Sequence, residues 1–284
     1  MGKKCIFNRL SLALILIMLM MPDSTQAQEI RWQRQEAAEL DLSLFHSTQV
    51  MHLPTAETLQ KGDFQFEILH RFNTPVSSGV GQVWGLDGTV TMRIGLGYAP
   101  ADRMLLTLAR SNREGNIDLQ YKYKAFQIRD DTLPTLISLQ VGAAYNGKPV
   151  QDVESPAGKF QYFGQIIANT LIAETFGIGI VPGYVYNSNI YDETARSTFS
   201  LGSYLQHYMS ERWSLIIEYN AKLSGWQRGY DALALGIEIE TGGHFFKMSV
   251  GNSIALNLPQ FMAGAPDPIN SKDWHLGFNI TRLF

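Results

Sequence analysis

The stretch Trp274-His275-Leu276-Gly277-Phe278-Asn279-Ile280-Thr281-Arg282-Leu283-Phe284 decides the fold. Trp274, Leu276, Phe278, Ile280 and Phe284 share one parity, and His275, Gly277, Asn279 and Thr281 share the other. A strand sends alternate side chains to opposite faces, so this segment has one apolar face and one polar or small face.

The same period of two recurs back to Asp63. Phe64, Phe66, Ile68 and Phe72 alternate with Gln65, Glu67, Arg71 and Asn73. Val90, Met92, Ile94, Leu96 and Tyr98 alternate with Thr91, Arg93, Gly95 and Gly97, and Ile117, Leu119, Tyr121 and Tyr123 with Asp118, Gln120, Lys122 and Lys124. Further along, Trp213, Leu215, Ile217 and Tyr219 stand against Ser214, Glu218, Asn220 and Lys222. Leu233, Leu235, Ile237 and Ile239 stand against Gly236, Glu238 and Glu240. The pattern predicts strands near 63–73, 89–99, 103–111, 115–127, 134–146, 159–173, 175–187, 196–209, 212–224, 230–241, 243–252 and 272–284. An even strand number and lengths of roughly ten to fourteen residues are those of a transmembrane barrel.

The connections give a second test. Those after the second, fourth, sixth, eighth and tenth strands are short: Pro100 to Asp102, Arg129 to Leu133, Glu174, Glu211 and Gly242. Those after the first, fifth and eleventh are long and those after the seventh and ninth intermediate; only Asn112 to Glu114, after the third, departs. Tight turns at one end and longer loops at the other predict an outer-membrane barrel with both termini periplasmic. A soluble β-sandwich also has period-two strands, but it uses shorter ones. Tyr98, Tyr121, Tyr123, Tyr184, Tyr186, Trp213 and Trp274 fall near strand ends, as interfacial aromatic girdles require. The expected fold is all-β: one closed antiparallel barrel of about twelve strands, spanning residues 63–284.

Before the strands, Lys3, Lys4 and Arg9 precede the apolar run Leu10 to Met21, and Thr25-Gln26-Ala27 follows it. This order predicts a cleaved signal peptide over residues 1–27. The single cysteine, Cys5, lies inside that segment, so the mature chain has no thiol for a disulfide or a metal. Residues 28–62 break the alternation. Arg31 to Glu39 could form a short helix, and Leu42, Leu44 and Thr48 to Leu53 an extended piece. The whole is either a periplasmic arm or a segment tucked into the barrel mouth; Val50, Met51 and Leu53 favour tucking, since otherwise they meet water.

His70-Arg71-Phe72, Gly85-Leu86-Asp87, Gly97-Tyr98-Ala99, Arg110-Ser111 and Lys122-Tyr123, in this order and spacing, resemble the DUF5777 family of β-barrel proteins, found chiefly in Bacteroidetes. The resemblance covers most of the mature chain and is most specific between about Leu53 and Pro134. It implies an outer-membrane barrel and supplies no activity.

Function is therefore read from the inner face. Parity places Glu67, Arg71, Arg93, Asp118, Lys122, Lys124, Glu218, Lys222, Glu238, Glu240, Lys247 and His275 there. Such balanced charge either lines a polar passage or braces and blocks the lumen with ion pairs, and bracing is favoured for most of these residues. The glycine-rich connection 74–88 suggests a latch, Asp87 pairing with Arg71 or Arg110 at the mouth. Trp274, Phe278 and Phe284 resemble the C-terminal signal that barrel assembly machinery reads.

Enzymatic readings are poor. His46, His52, His70, His207, His244 and His275 lack metal spacing, and no Gly-x-Ser-x-Gly elbow is present. Ser203 with His207 is the best catalytic candidate, and Gly177-x-Gly179 belongs to a strand rather than a dinucleotide fold. No cofactor is expected, and a net charge of −3 gives no reason to expect nucleic acid. The leading expectation is a small-solute channel or transporter with a narrow, charge-lined lumen. Second comes a plugged barrel that is structural or docks a periplasmic partner through residues 28–62, and third a lipid-modifying enzyme.

Overall fold

The computed structural model describes residues 42–147, 156–188, 196–225 and 229–284. The signal-peptide segment, the Arg31 to Glu39 helix and parts of the connections after the fifth, seventh and ninth strands lie outside these residues. Twelve strands run in chain order: β1 Phe64–Phe72, β2 Val90–Tyr98, β3 Met104–Ser111, β4 Asn116–Ile128, β5 Thr135–Asn146, β6 Phe160–Ile172, β7 Phe176–Tyr186, β8 Ser197–Tyr208, β9 Trp213–Lys222, β10 Ala232–Glu240, β11 His244–Gly251 and β12 His275–Leu283. Each pairs antiparallel with its chain neighbours, and β12 closes on β1 through Gln65↔Leu283 to Arg71↔Gly277. Closure leaves no unpaired sheet edge, which a wall immersed in hydrocarbon requires.

The outward parity is apolar and exposed: Leu96 is 59 % exposed, Leu119 55 % and Met248 56 %. Their neighbours on the inward parity, such as Asp118 and Lys247, are buried. An apolar surface this extensive does not persist in water; it is the face a bilayer covers.

The turns at one end are tight. Ala173 and Glu174 both take positive φ (50° and 57°), the two-residue geometry whose twist matches the flanking strands. Asp130 accepts backbone N–H bonds from Thr132 and Leu133 in the β4–β5 turn, and those bonds hold its carboxyl below the usual range. One bulge interrupts the wall, between Lys124 and Phe126 of β4. The extra residue reverses parity, so Lys124 points in and Phe126, also an even number, points out at 64 % exposure.

Candidate functional site

The barrel interior is the candidate site, and it is occupied. Residues 42–62 enter at the short-turn end, where the Leu42 N–H donates to Gln127 Oε1 at the end of β4. They turn back at mid-barrel, with the Val50 N–H bonded to the Leu53 carbonyl and the Thr55 N–H to the Thr48 carbonyl. They leave at the same end, where the Lys61 N–H meets Asp102 in the β2–β3 turn. Leu44, Val50, Met51, Leu53 and Ala56 are fully buried. The extended piece read from Thr48 to Leu53 is instead a reversal, its only ladder contact the bridge Gln49↔Pro54.

An irregular segment inside a barrel has backbone groups that no sheet satisfies, and the wall's ionisable side chains take that role. Glu218 on β9 accepts the N–H groups of Met51, His52 and Leu53 at 3.2, 2.8 and 2.8 Å, and meets His52 Nδ1 at 2.6 Å. From β4, Lys122 donates to the carbonyls of Thr48, Thr55 and Glu57 at 2.8, 2.9 and 3.2 Å. Lys124, the last inward residue before the bulge, reaches the Leu42 carbonyl and the Glu57 carboxylate. Lys247 on β11 bonds Ser47 Oγ and the Val50 carbonyl while pairing with Glu238 at 3.1 Å. Arg71 lies between His52 Nε2 and Asn279. Neutral groups contribute too: Ser138 and Asn169 hold the two backbone groups of Ala56, and Tyr204 holds the Pro54 carbonyl.

Small inward residues give the segment room. A Cβ on Gly202 would sit 2.7 Å from Leu53, and one on Gly177 2.7 Å from Phe45, the three nearest atoms in each case belonging to the inserted side chain. These glycines are sockets in the wall.

The β11–β12 connection enters from the opposite end. Its short helix α1, Leu258–Met262, buries Leu258 and Met262 against Phe163 and Val185. Phe261 stacks flat on His52, centroids 4.4 Å apart and planes 4° from parallel. Two inserts thus meet at mid-lumen. Beside that contact a cavity of about 30 Å³, bordered by Gln49, Glu67, Arg93, Lys122 and Gln140, has space for about two waters.

Of the inward charges expected from parity, Glu67, Arg71, Arg93, Asp118, Lys122, Lys124, Glu218, Glu238, Lys247 and His275 are buried inside the wall. Arg93 joins Glu67 and Asp118 directly, the latter at 2.9 Å. His275 bonds the Phe72 carbonyl and lies 3.6 Å from Asp267. Two placements differ. Glu240 turns out of the lumen to accept the Gly243 N–H in the β10–β11 turn, and Lys222 is half-exposed where β9 ends beside Asp231. Parity assigns a face, but the last residue of a strand is free to follow the turn.

The latch does not form. Asp87 is exposed, its N–H bonded to the Gln82 carbonyl; Arg71 is drawn to the inserted segment, and Arg110 faces outward. The loop 74–88 folds on itself instead, with Val83 and Trp84 at positive φ. Ser203 and His207 both face out of the barrel, four residues apart on one strand, or about 13 Å, and His207 packs edge-on to Phe176. Among the described residues no group of three or more His, Cys, Asp or Glu could hold a metal.

Sequence reasoning missed His52, Glu57 and Phe261. The available signal was apolar residues in segments without alternation: Val50, Met51 and Leu53 in one insert, Leu256, Leu258, Phe261 and Met262 in the other.

The family signature described as a membrane-bound beta barrel domain, DUF5777, matches residues 45–284. The chain belongs to the DUF5777 family. That match starts inside the inserted segment, so the family domain takes in most of the plug as well as the wall. A comparison with curated proteins finds no match. Similar solved structures include the COG4313 outer membrane channel from Pseudomonas putida F1, 12 % identical over 81 % of this chain and 98 % of that one, TM-score 0.49. A KdgM porin in complex with disordered oligogalacturonate is 5 % identical, and a NanC porin 9 %, each over 78 % of this chain and 98 % of the other, TM-score 0.46.

Proposed function

We propose that this family member is an outer-membrane passage for small polar solutes, closed in the state described by its own segment 42–62. The observation that carries the reading is how the segment is held. The twelve strands close on one another without it, whereas its own backbone rests largely on side chains of the wall. Such an insert can shift while the barrel persists, because its exchangeable bonds are separate from the strand ladders. In this reading both termini are periplasmic and β12, with Trp274, Phe278 and Phe284, is the strand the assembly machinery recognises.

The test is planar-bilayer conductance of the refolded mature chain beside its Glu218→Ala variant, which removes the acceptor of three segment N–H groups. Rare openings in the parent and frequent, steady steps in the variant are expected. A variant that stays silent, with its segment newly open to protease and its barrel still heat-modifiable, would defeat the passage. The many wall-to-segment bonds would then favour a plugged barrel that docks a periplasmic partner, and a stoichiometric copurifying protein would be the observation to seek.

A further inference from the structure

Some of the lumen's charges pair across the wall, and others bond the insert. Among the described residues buried inside the wall, Arg71, Arg93, Lys122, Lys124 and Lys247 are the Lys and Arg side chains, and Glu67, Asp118, Glu218 and Glu238 the carboxylates. That is five cations against four anions. Lys247 with Glu238, and Arg93 with Glu67 and Asp118, are wall-to-wall contacts that outlast any movement of the segment. Lys122 is different: its three recorded acceptors are carbonyls of Thr48, Thr55 and Glu57. Lys124 two residues on meets the Leu42 carbonyl and, at 3.2 Å, the Glu57 carboxylate. Glu218 likewise serves the segment, as Glu238 does through the His46 ring at 3.3 Å, and it is matched by Arg71, which shares His52 with it.

Withdrawing the segment therefore uncovers a lysine pair on one face of β4, about 7 Å apart along the strand. The Arg93 cluster, with two carboxylates to one guanidinium, offsets part of Lys122; the wall as a whole keeps an excess of one positive charge. Glu57 now holds the place a soluble carboxylate would take on Lys124. A ring or cluster of like charge at a constriction selects ions of the opposite sign.

We propose that the open lumen conducts anions, with Lys122 and Lys124 as its selectivity residues and small carboxylates as its solutes. The inference rests on the passage reading above, and its failure is separable from that of the passage. The experiment uses the full mature chain with Gly177→Leu and Gly202→Leu, uncharged substitutions that fill the sockets of Phe45 and Leu53 and dislodge the segment. Reversal potentials are read across a potassium chloride gradient and then a potassium succinate gradient. Steps with anion-over-cation selectivity in both salts are expected. Adding Lys122→Gln and Lys124→Gln should invert the sign, because four carboxylates then face three cations. Cation selectivity with both lysines present, or selectivity unmoved by their loss, overturns the anion path while leaving a passage. Absence of steps, even with urea added stepwise to loosen the segment, overturns the passage itself.

Discussion

Strands β5 and β6 bond to each other residue for residue from Thr135↔Thr170 to Tyr145↔Phe160, whereas residues 42–62, enclosed by them, bond largely to side chains. The wall uses its own backbone, so its side chains are left to choose between lipid and lumen. The inserted segment has no such ladder, and each of its buried N–H and C=O groups needs a separate partner. That is why so many charged residues sit inside a narrow barrel without lining open water. A carboxylate that accepts three consecutive N–H groups, or an ammonium that donates to three carbonyls, satisfies a chain reversal more economically than neutral groups do. The same difference makes the insert the part that a single substitution can release.

The largest effect is expected at Glu218. Replacing it by Ala strands three N–H groups and His52, a loss of about 3–5 kcal/mol for a broken buried charge contact. Hydrogen exchange at Met51 to Leu53 should rise strongly while exchange in β5 and β6 stays slow; equal loss in both regions would end the distinction between wall and insert. A substitution of the opposite kind is Leu119→Arg, on the lipid face and remote from the segment, at a cost of about 2–4 kcal/mol near the midplane. It should lower the urea midpoint of the whole barrel and leave the segment no more exposed to protease than its barrel is. Next comes Lys122→Met, which removes the donor to the carbonyls of Thr48, Thr55 and Glu57. About 1–3 kcal/mol is expected for acceptors left buried and unmet, seen as faster exchange and cleavage within 48–57. Ser138→Ala is the mildest, about 1 kcal/mol for the bond to the Ala56 carbonyl. If it loosens the segment as much as Glu218→Ala, the charged partners do not have the leading part assigned to them.

Much of the wall was legible because it depends on local pattern. The observed strand ends fall within about three residues of those read from alternation, and the five tight turns fall where Pro100 to Asp102, Arg129 to Leu133, Glu174, Glu211 and Gly242 place them. The bulge at Lys124 was not legible. A parity reading carries Lys124 inward either way, and only Phe126, which then points out, records the extra residue. The latch failed for a related reason. Opposite charges in neighbouring loops say nothing of competing partners, and Arg71 had His52 and Asn279 inside the barrel.

By itself, the sequence determined a barrel, its strand count, its lipid face and most of the charges turned inward, because a period of two acts within each strand and needs no knowledge of distant residues. Only the tertiary structure decided that Glu218 meets Leu53, that Lys122 holds Thr55, and that Phe261 closes on His52. Those contacts join positions up to more than two hundred residues apart, as Asn279 with Met51 shows. They exist only once the wall has closed and two inserts have entered it from opposite ends.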